Sequence, residues 1–238
     1  MLDKVKSKYI IEKIFRNIKN KRKLNTIKYN KRILLRLNIN KEQFENYIKL
    51  KEFNNKYKIN IEDIDIKELQ LNIGNEGLKD FVKINFNNLE VIYLSNNEIS
   101  DINILEKVNF KELKELNLNY NYISDIEVLE RVKFEKLEVL YLSENEISDI
   151  NILEKVNFKE LKELYLEDNN ISDIQVLEKV KCKKLKILNL SGNKISDIEV
   201  LEKVKFEKLE KLNLSWNKIS NNINILENVN FKELKELY

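Results

Sequence analysis

Histidine and proline are absent from this chain of 238 residues, which contains only three glycines, one cysteine and one tryptophan. Without histidine, the usual general base near neutral pH and the commonest metal ligand are both missing. Three glycines provide no glycine-rich loop to cradle a phosphate, and no nucleophile has a partner that could activate it. We therefore predict a protein that is not an enzyme and that has no metal, cofactor or small-molecule substrate.

The single cysteine and the first residues of the chain bear on its location. One cysteine cannot form an internal disulfide, which suits a reducing compartment. The sequence begins MLDKVKSKYIIEKIF, without the apolar run and small-residue cleavage site of a signal peptide. No stretch is apolar over the length that a membrane-spanning helix requires. These features predict an intracellular, cytoplasmic protein.

A motif repeats every 24 residues over most of the chain, with copies that begin at Leu89, Leu113, Leu137, Leu161, Leu185 and Leu209. The unit is L-x-x-L-x-L-x-x-N-x-I-S-D-I-x-x-L-x-x-V-x-F-x-x. A degenerate copy precedes it at residues 66–71, and one inserted residue delays the last copy to Leu234. The L-x-L alternation predicts a short strand, and I-x-x-L-x-x-V predicts a helical return to the same core. Because one unit cannot cover that core, the units must stack.

This unit resembles the leucine-rich repeat, and its N-x-I-S-D-I-x-x-L run is most similar to the short repeats of internalins. The resemblance implies an α/β solenoid, a curved stack with parallel strands on the concave face and short helices on the convex face. We expect the repeated asparagine to bond unpaired backbone groups as a buried ladder. Ser124, Ser172 and Ser196, each three residues before a Glu or Gln, are expected to be helix N-caps. Cys182 replaces the phenylalanine of the unit, so we expect it in the core.

The charge divides the chain into two regions. Residues 1–60 carry 18 Lys and Arg against 5 Asp and Glu, whereas residues 61–238 carry 25 against 35. Apolar spacing in the first region predicts helices over residues 11–18, around residues 24–37, and from Asn40 onward, where Gln43 completes a capping signal. We predict a basic helical N-terminal region at 1–60, followed by leucine-rich repeats at 61–238.

The N-terminal region has three possible roles. It could cap the first repeat, as repeat arrays require. Residues 8–33 also resemble an F-box, a helical module that links repeats to a ubiquitin ligase, although the Leu-Pro and tryptophan of that module are missing. Alternatively, its lysines and arginines could form a patch for nucleic acid or an acidic membrane surface.

The variable positions between the leucines are the candidate binding site, because nothing in the fold constrains them. Aromatic residues there are typical of binding hot spots, although strand tyrosines also reflect β propensity and cross-strand stacking. Trp216, the only tryptophan, is predicted to face outward, either for a ligand or to cover the inserted residue nearby. The predicted partner-binding residues are Tyr93, Tyr120, Tyr141, Glu144, Tyr165, Glu167, Asp168, Lys194, Trp216 and Lys218.

Charges along this face change sign, with acidic residues in the first and middle copies and Lys194, Lys211 and Lys218 in the last two. A ligand should therefore have a basic end and an acidic end. We predict a scaffold that binds a protein partner on the concave strand face, and the alternative is an F-box-like substrate adaptor. Because the last copy ends without a helical return, we expect either a longer array or pairing of two copies.

Overall fold

A computed structural model describes residues 27, 30–36, 39–220, 223–227, 229 and 231–238. The chain divides into two compact units. The first contains the described residues up to Ile64 together with residues 83–85, and the second contains Asp65–Val82 and Phe86–Tyr238. The boundary predicted between residues 60 and 61 stays a prediction.

The first unit contains two described helices, α1 (Lys31–Arg36) and α2 (Lys41–Tyr57). The predicted start of α2 is confirmed: the Asn40 side chain accepts from the Gln43 N–H, and the Gln43 side chain accepts from the Asn40 N–H. Phe44 and Leu34 form a small buried cluster. The helix predicted over residues 11–18, most of the F-box-like segment and most of the basic side chains lie outside the described residues.

The second unit is built on one parallel sheet, and its described strands run in the order β1 to β8. Adjacent strands pair in register, so that equivalent residues of successive repeats are neighbours. The strands are β1 (Glu68–Gln70), β2 (Val91–Tyr93), β3 (Glu115–Asn117), β4 (Val139–Tyr141), β5 (Glu163–Tyr165), β6 (Ile187–Asn189), β7 (Lys211–Asn213) and β8 (Glu236–Leu237). The predicted solenoid is confirmed, and its degenerate first copy also forms a strand.

The core lies on the leucine side of this sheet. In β2 to β7 the middle residue is buried, while the first and third are half-buried on the opposite side. The phenylalanines of the repeat form a second buried column, in which Phe110 and Phe134 stack with their centres 6.4 Å apart. Cys182 is buried in that column, as predicted, and burial raises the pKa of its thiol to about 11.

After each of the strands β2 to β7, the chain returns to the sheet through a short 3-10 helix. These helices are Asn103–Lys107, Glu127–Glu130, Asn151–Glu154, Gln175–Lys179, Glu199–Glu202 and Ile223–Glu227. The predicted serine caps are wrong: at Ser124, Ser172 and Ser196 no serine side chain caps the helix that follows. Instead, the aspartate that follows each serine caps the helix: the side chains of Asp125, Asp173 and Asp197 each accept a hydrogen bond from the N–H two residues further on.

The first repeat differs from the others. Its return is an α-helix, α3 (Gly74–Phe81), in the irregular stretch that follows β1. Asn97 from the next repeat accepts from the N–H of Ile73, at the start of this helix. No helix of the described residues is both long and apolar enough to cross a membrane.

Candidate binding face of the repeat sheet

The repeated asparagines form the predicted ladder, and their role is structural. Asn145 is typical: its amide nitrogen donates to the carbonyl oxygens of Leu118, Leu142 and Ser143 at 3.0 to 3.1 Å. Its side-chain oxygen accepts from the N–H of Ile123 at 3.0 Å. The asparagines therefore satisfy backbone groups where the chain leaves each strand, and they are not available to a ligand.

The residue before each ladder asparagine has a left-handed backbone. These residues, here called the turn row, are Asn96, Tyr120, Glu144, Asp168, Gly192 and Trp216, with φ between 51° and 66°. This conformation costs side-chain-bearing residues about 1 to 2 kcal/mol each, least for Asn and Asp. Tyr120 and Trp216 nevertheless occupy it, and Trp216 is 89% exposed, as predicted.

The side of the sheet opposite the leucines, here called the strand face, carries the first and third residue of each strand. Tyr141 and Tyr165 lie on adjacent strands and stack, with ring centres 4.7 Å apart and planes 12° from parallel. The Tyr165 hydroxyl donates to Glu163 at 2.8 Å. Burial, followed by this hydrogen bond, raises the pKa of Tyr165. These two predicted site residues are therefore brought into direct contact.

Three other predicted site residues, Glu144, Glu167 and Asp168, lie close together beside the tyrosines. The pKa of Glu167 is raised, chiefly by burial and to a lesser extent by the charges of Asp168 and Glu144. The Asn189 side chain donates to Glu167, which counteracts part of that effect. The Asp168 carboxylate occupies the space where a Cβ on Gly192 would lie, 2.0 Å from it. Within the described residues no group of carboxylates is arranged to hold a metal ion.

The remaining predicted residues are spread out. Tyr93 is two strands away from Tyr141, and Trp216 is two repeats away from Asp168. The Lys194 ammonium donates to the Asn170 side chain at 2.6 Å. The N–H of Lys218 donates to the carbonyl of Ile195, and no described carboxylate forms an ion pair with its side chain.

Sequence reasoning missed three features of this face. Glu115 lies on the strand face, but within the strands the predicted set included only residues at the third position. Tyr122, which follows a ladder asparagine, is 55% exposed. The hydroxyl of Ser143 is buried and makes no hydrogen bond to any described group. The alternation of the strand could have indicated Glu115, but no sequence signal marks Ser143.

The residues immediately before each strand form another row, and this row differs from the strand face in how its charges are paired. In that row, ion pairs join successive repeats: Glu90 contacts Lys114 at 2.6 Å, Glu138 contacts Lys162 at 2.5 Å and Lys186 contacts Glu210 at 2.7 Å. On the strand face, β1 to β5 carry Glu68, Glu115 and Glu163 but no lysine or arginine. The described part of this face from β1 to β5 is therefore negatively charged, with no basic residue of its own.

Comparison with known proteins identifies the repeats. The family of leucine-rich repeats, in two-copy units, matches residues 87–131, 111–155, 135–179 and 159–203, and a single leucine-rich repeat matches residues 207–223. This chain belongs to the leucine-rich repeat family. No curated protein matches the chain.

Solved structures resemble the fold. An internalin C2 from Listeria monocytogenes is 22% identical, with a TM-score of 0.55 over 78% of this chain and 90% of that one. An internalin F from the same organism is 24% identical, with a TM-score of 0.49 over 73% of this chain and 61% of that one. A plant peptide hormone receptor, RGFR1, in complex with RGF2 is 19% identical, with a TM-score of 0.51 over 73% and 30% respectively. The chain thus spans less than two thirds of the internalin F structure and less than one third of the receptor.

Proposed function

We propose that this protein is a non-enzymatic scaffold that binds a protein partner on its strand face. The observation that carries the proposal is the set of aromatic and acidic side chains on this face at positions where other repeats have asparagine or serine. Tyr141 and Tyr165 are replaced by Asn117, Asn189 and Asn213 in sister repeats. The fold therefore does not require the tyrosines, whereas rigid aromatic side chains suit recognition.

The size of the face fits such a role. Eight strands spaced by about 4.8 Å extend for roughly 34 Å, which matches the length of about ten residues of extended peptide. The plant peptide hormone receptor RGFR1, whose structure resembles this fold, is seen in complex with RGF2. A peptide or a protruding segment of a partner is thus a suitable ligand.

A capture experiment tests this proposal. The chain would be immobilised and exposed to lysate of its own source cells, beside a double variant with Tyr141→Asn and Tyr165→Asn. Because asparagine occupies the same position in sister repeats, the variant should keep its fold, which far-ultraviolet circular dichroism would check. We expect a partner that binds the wild type and is lost by the variant.

The matched control carries Glu127→Gln and Glu178→Gln, which change exposed side chains of the 3-10 helices. It should retain the partner, and the purified pair should show saturable binding by calorimetry. If every protein that the wild type captures is also held by the tyrosine variant, the strand face is not the binding surface. The F-box-like adaptor stays a prediction, which recovery of ubiquitin ligase subunits would support.

A further inference from the structure

A gap interrupts the column of tyrosines on the strand face. Tyr93 of β2, Asn117 of β3 and Tyr141 of β4 are neighbours in the strand register. With strands about 4.8 Å apart, the two tyrosine positions lie roughly 9.6 Å from each other. The Asn117 side chain is short, and its oxygen accepts from the N–H of Asn119 at 3.0 Å, so it lies along its own strand. The space above Asn117 is therefore bounded by an aromatic residue on each side.

The width of this gap suits one planar group. Atoms in van der Waals contact are about 3.5 to 4.0 Å apart, so a flat group between two rings needs roughly 7 to 8 Å. A cation midway would lie within the approximately 6 Å range of attraction to each ring. The next pair in the column shows the stacked geometry, because Tyr165 covers the other side of Tyr141 with ring centres 4.7 Å apart.

A carboxylate stands beside this gap. Glu115 is half-buried on the same face, two residues before Asn117. Its charge acts on both walls. Burial, then the charge of Glu115 and a hydrogen bond from the Tyr93 hydroxyl to Glu115, raise the pKa of Tyr93. Burial and then the charge of Glu115 raise the pKa of Tyr141. No described lysine or arginine forms an ion pair with Glu115, although the neighbouring Glu90 is paired with Lys114. The gap therefore combines two aromatic walls with a carboxylate that no described lysine or arginine pairs.

We propose that this gap binds a cationic side chain of the partner, and that arginine is preferred. The guanidinium stacks between Tyr93 and Tyr141 and donates hydrogen bonds to the Glu115 carboxylate. Arginine fits better than lysine because its charged group is planar and can stack while it donates. This subsite rests on the proposed function, since it assigns one contact within the binding face and a basic segment to the partner.

The probe is a blocked octapeptide of alternating glycine and arginine, compared with peptides in which lysine or citrulline replaces arginine. Citrulline has nearly the shape of arginine without its charge. Calorimetry on the full chain should show the order arginine, lysine, citrulline, with the arginine peptide bound more weakly as salt increases. Equal binding of the arginine and citrulline peptides, or no binding of the arginine peptide, would overturn the proposal.

Two variants locate the contact. Asn117→Tyr fills the gap with a ring that four sister repeats have at this position, and Glu115→Gln removes the charge. Each variant should bind the arginine peptide roughly tenfold or more weakly than the wild type, which is the scale expected for the loss of one charge-assisted hydrogen bond. The matched controls are Asn151→Tyr and Glu127→Gln, which make the same changes at exposed residues of the 3-10 helices, outside the strand face. Both should bind within about twofold of the wild type, given the distance between the sites.

The results separate this inference from the proposed function. Unchanged affinity in Asn117→Tyr refutes the subsite, provided that its unfolding midpoint shows an intact fold. If a captured protein is lost by the Tyr141→Asn and Tyr165→Asn variant but retained by Asn117→Tyr, the strand face binds the partner and the subsite fails. If the arginine peptide needs the gap while no captured protein needs Tyr141 and Tyr165, the subsite stands as a site for basic segments and the wider proposal fails.

Discussion

The asparagine ladder allows the contribution of one side chain to be calculated. Replacing Asn145 by alanine removes three donated hydrogen bonds and one accepted bond. The carbonyls of Leu118 and Leu142 each keep a bond from another ladder asparagine, and the carbonyl of Ser143 keeps the N–H of Tyr120. Only the buried N–H of Ile123 loses its partner.

The expected cost follows from that single group. A buried donor without an acceptor costs about 1 to 3 kcal/mol, and the carbonyls that keep a partner add little. We therefore expect Asn145→Ala to lower the free energy of unfolding by about 1 to 3 kcal/mol. The neighbouring Glu144→Ala removes an exposed side chain and should cost less than about 0.5 kcal/mol.

Urea unfolding followed by circular dichroism would measure both variants. Asn145→Asp adds a sharper comparison, because aspartate can still accept from Ile123 but places its charge against three carbonyl oxygens. We expect it to be less stable than the wild type at neutral pH and to recover as acid protonates it. Equal unfolding midpoints for Asn145→Ala and Glu144→Ala would refute the structural role assigned to the ladder.

Three further predictions concern other groups. Gly192→Ala should destabilise the fold, because φ is +66° and the new Cβ would collide with the Asp168 carboxylate. If the collision is the cause, adding Asp168→Ala should recover part of the lost stability in urea unfolding. Glu167→Gln should stabilise the protein at pH 7, since burial and the charges of Asp168 and Glu144 raise the pKa of Glu167 and penalise its ionised form. That advantage should vanish as the pH falls below about 4, where glutamate is protonated in both states. Cys182 should react with a thiol reagent only upon unfolding, and rapid modification of the native protein would contradict its burial.

Much of the repeat architecture could be predicted because its causes recur in every copy. The alternation of leucines gives the strands, and the invariant asparagine gives the ladder. The helix starts were harder, since Ser124 and Asp125 both have side chains that cap. Aspartate prevails because its carboxylate reaches the N–H two residues ahead, which suits a tight 3-10 turn better than the bond across three residues expected of a cap.

The strand face and the turn row were predicted less completely, for reasons of geometry. A left-handed residue is recognised in a sequence by glycine or asparagine, which occur in the turn row only at Gly192 and Asn96. Tyr120, Glu144 and Trp216 carry no such signal, although their backbones have the same conformation. Contacts between repeats, such as the Tyr141 and Tyr165 stack, also depend on the strand register, which fixes neighbours 24 residues apart.

The repeats provide an internal comparison that separates folding from recognition. Most positions that are constant across copies have side chains in the core or in the ladder, and the constant aspartate caps the 3-10 helix, so the fold itself accounts for them. At the turn row the backbone is constant while the side chain varies from Gly192 to Trp216. Glycine would remove the strain there, at a position where tryptophan costs about 1 to 2 kcal/mol and gains no burial. Trp216 is 89% exposed, so stability does not explain it, and a contact with a partner is the explanation that the proposed function offers.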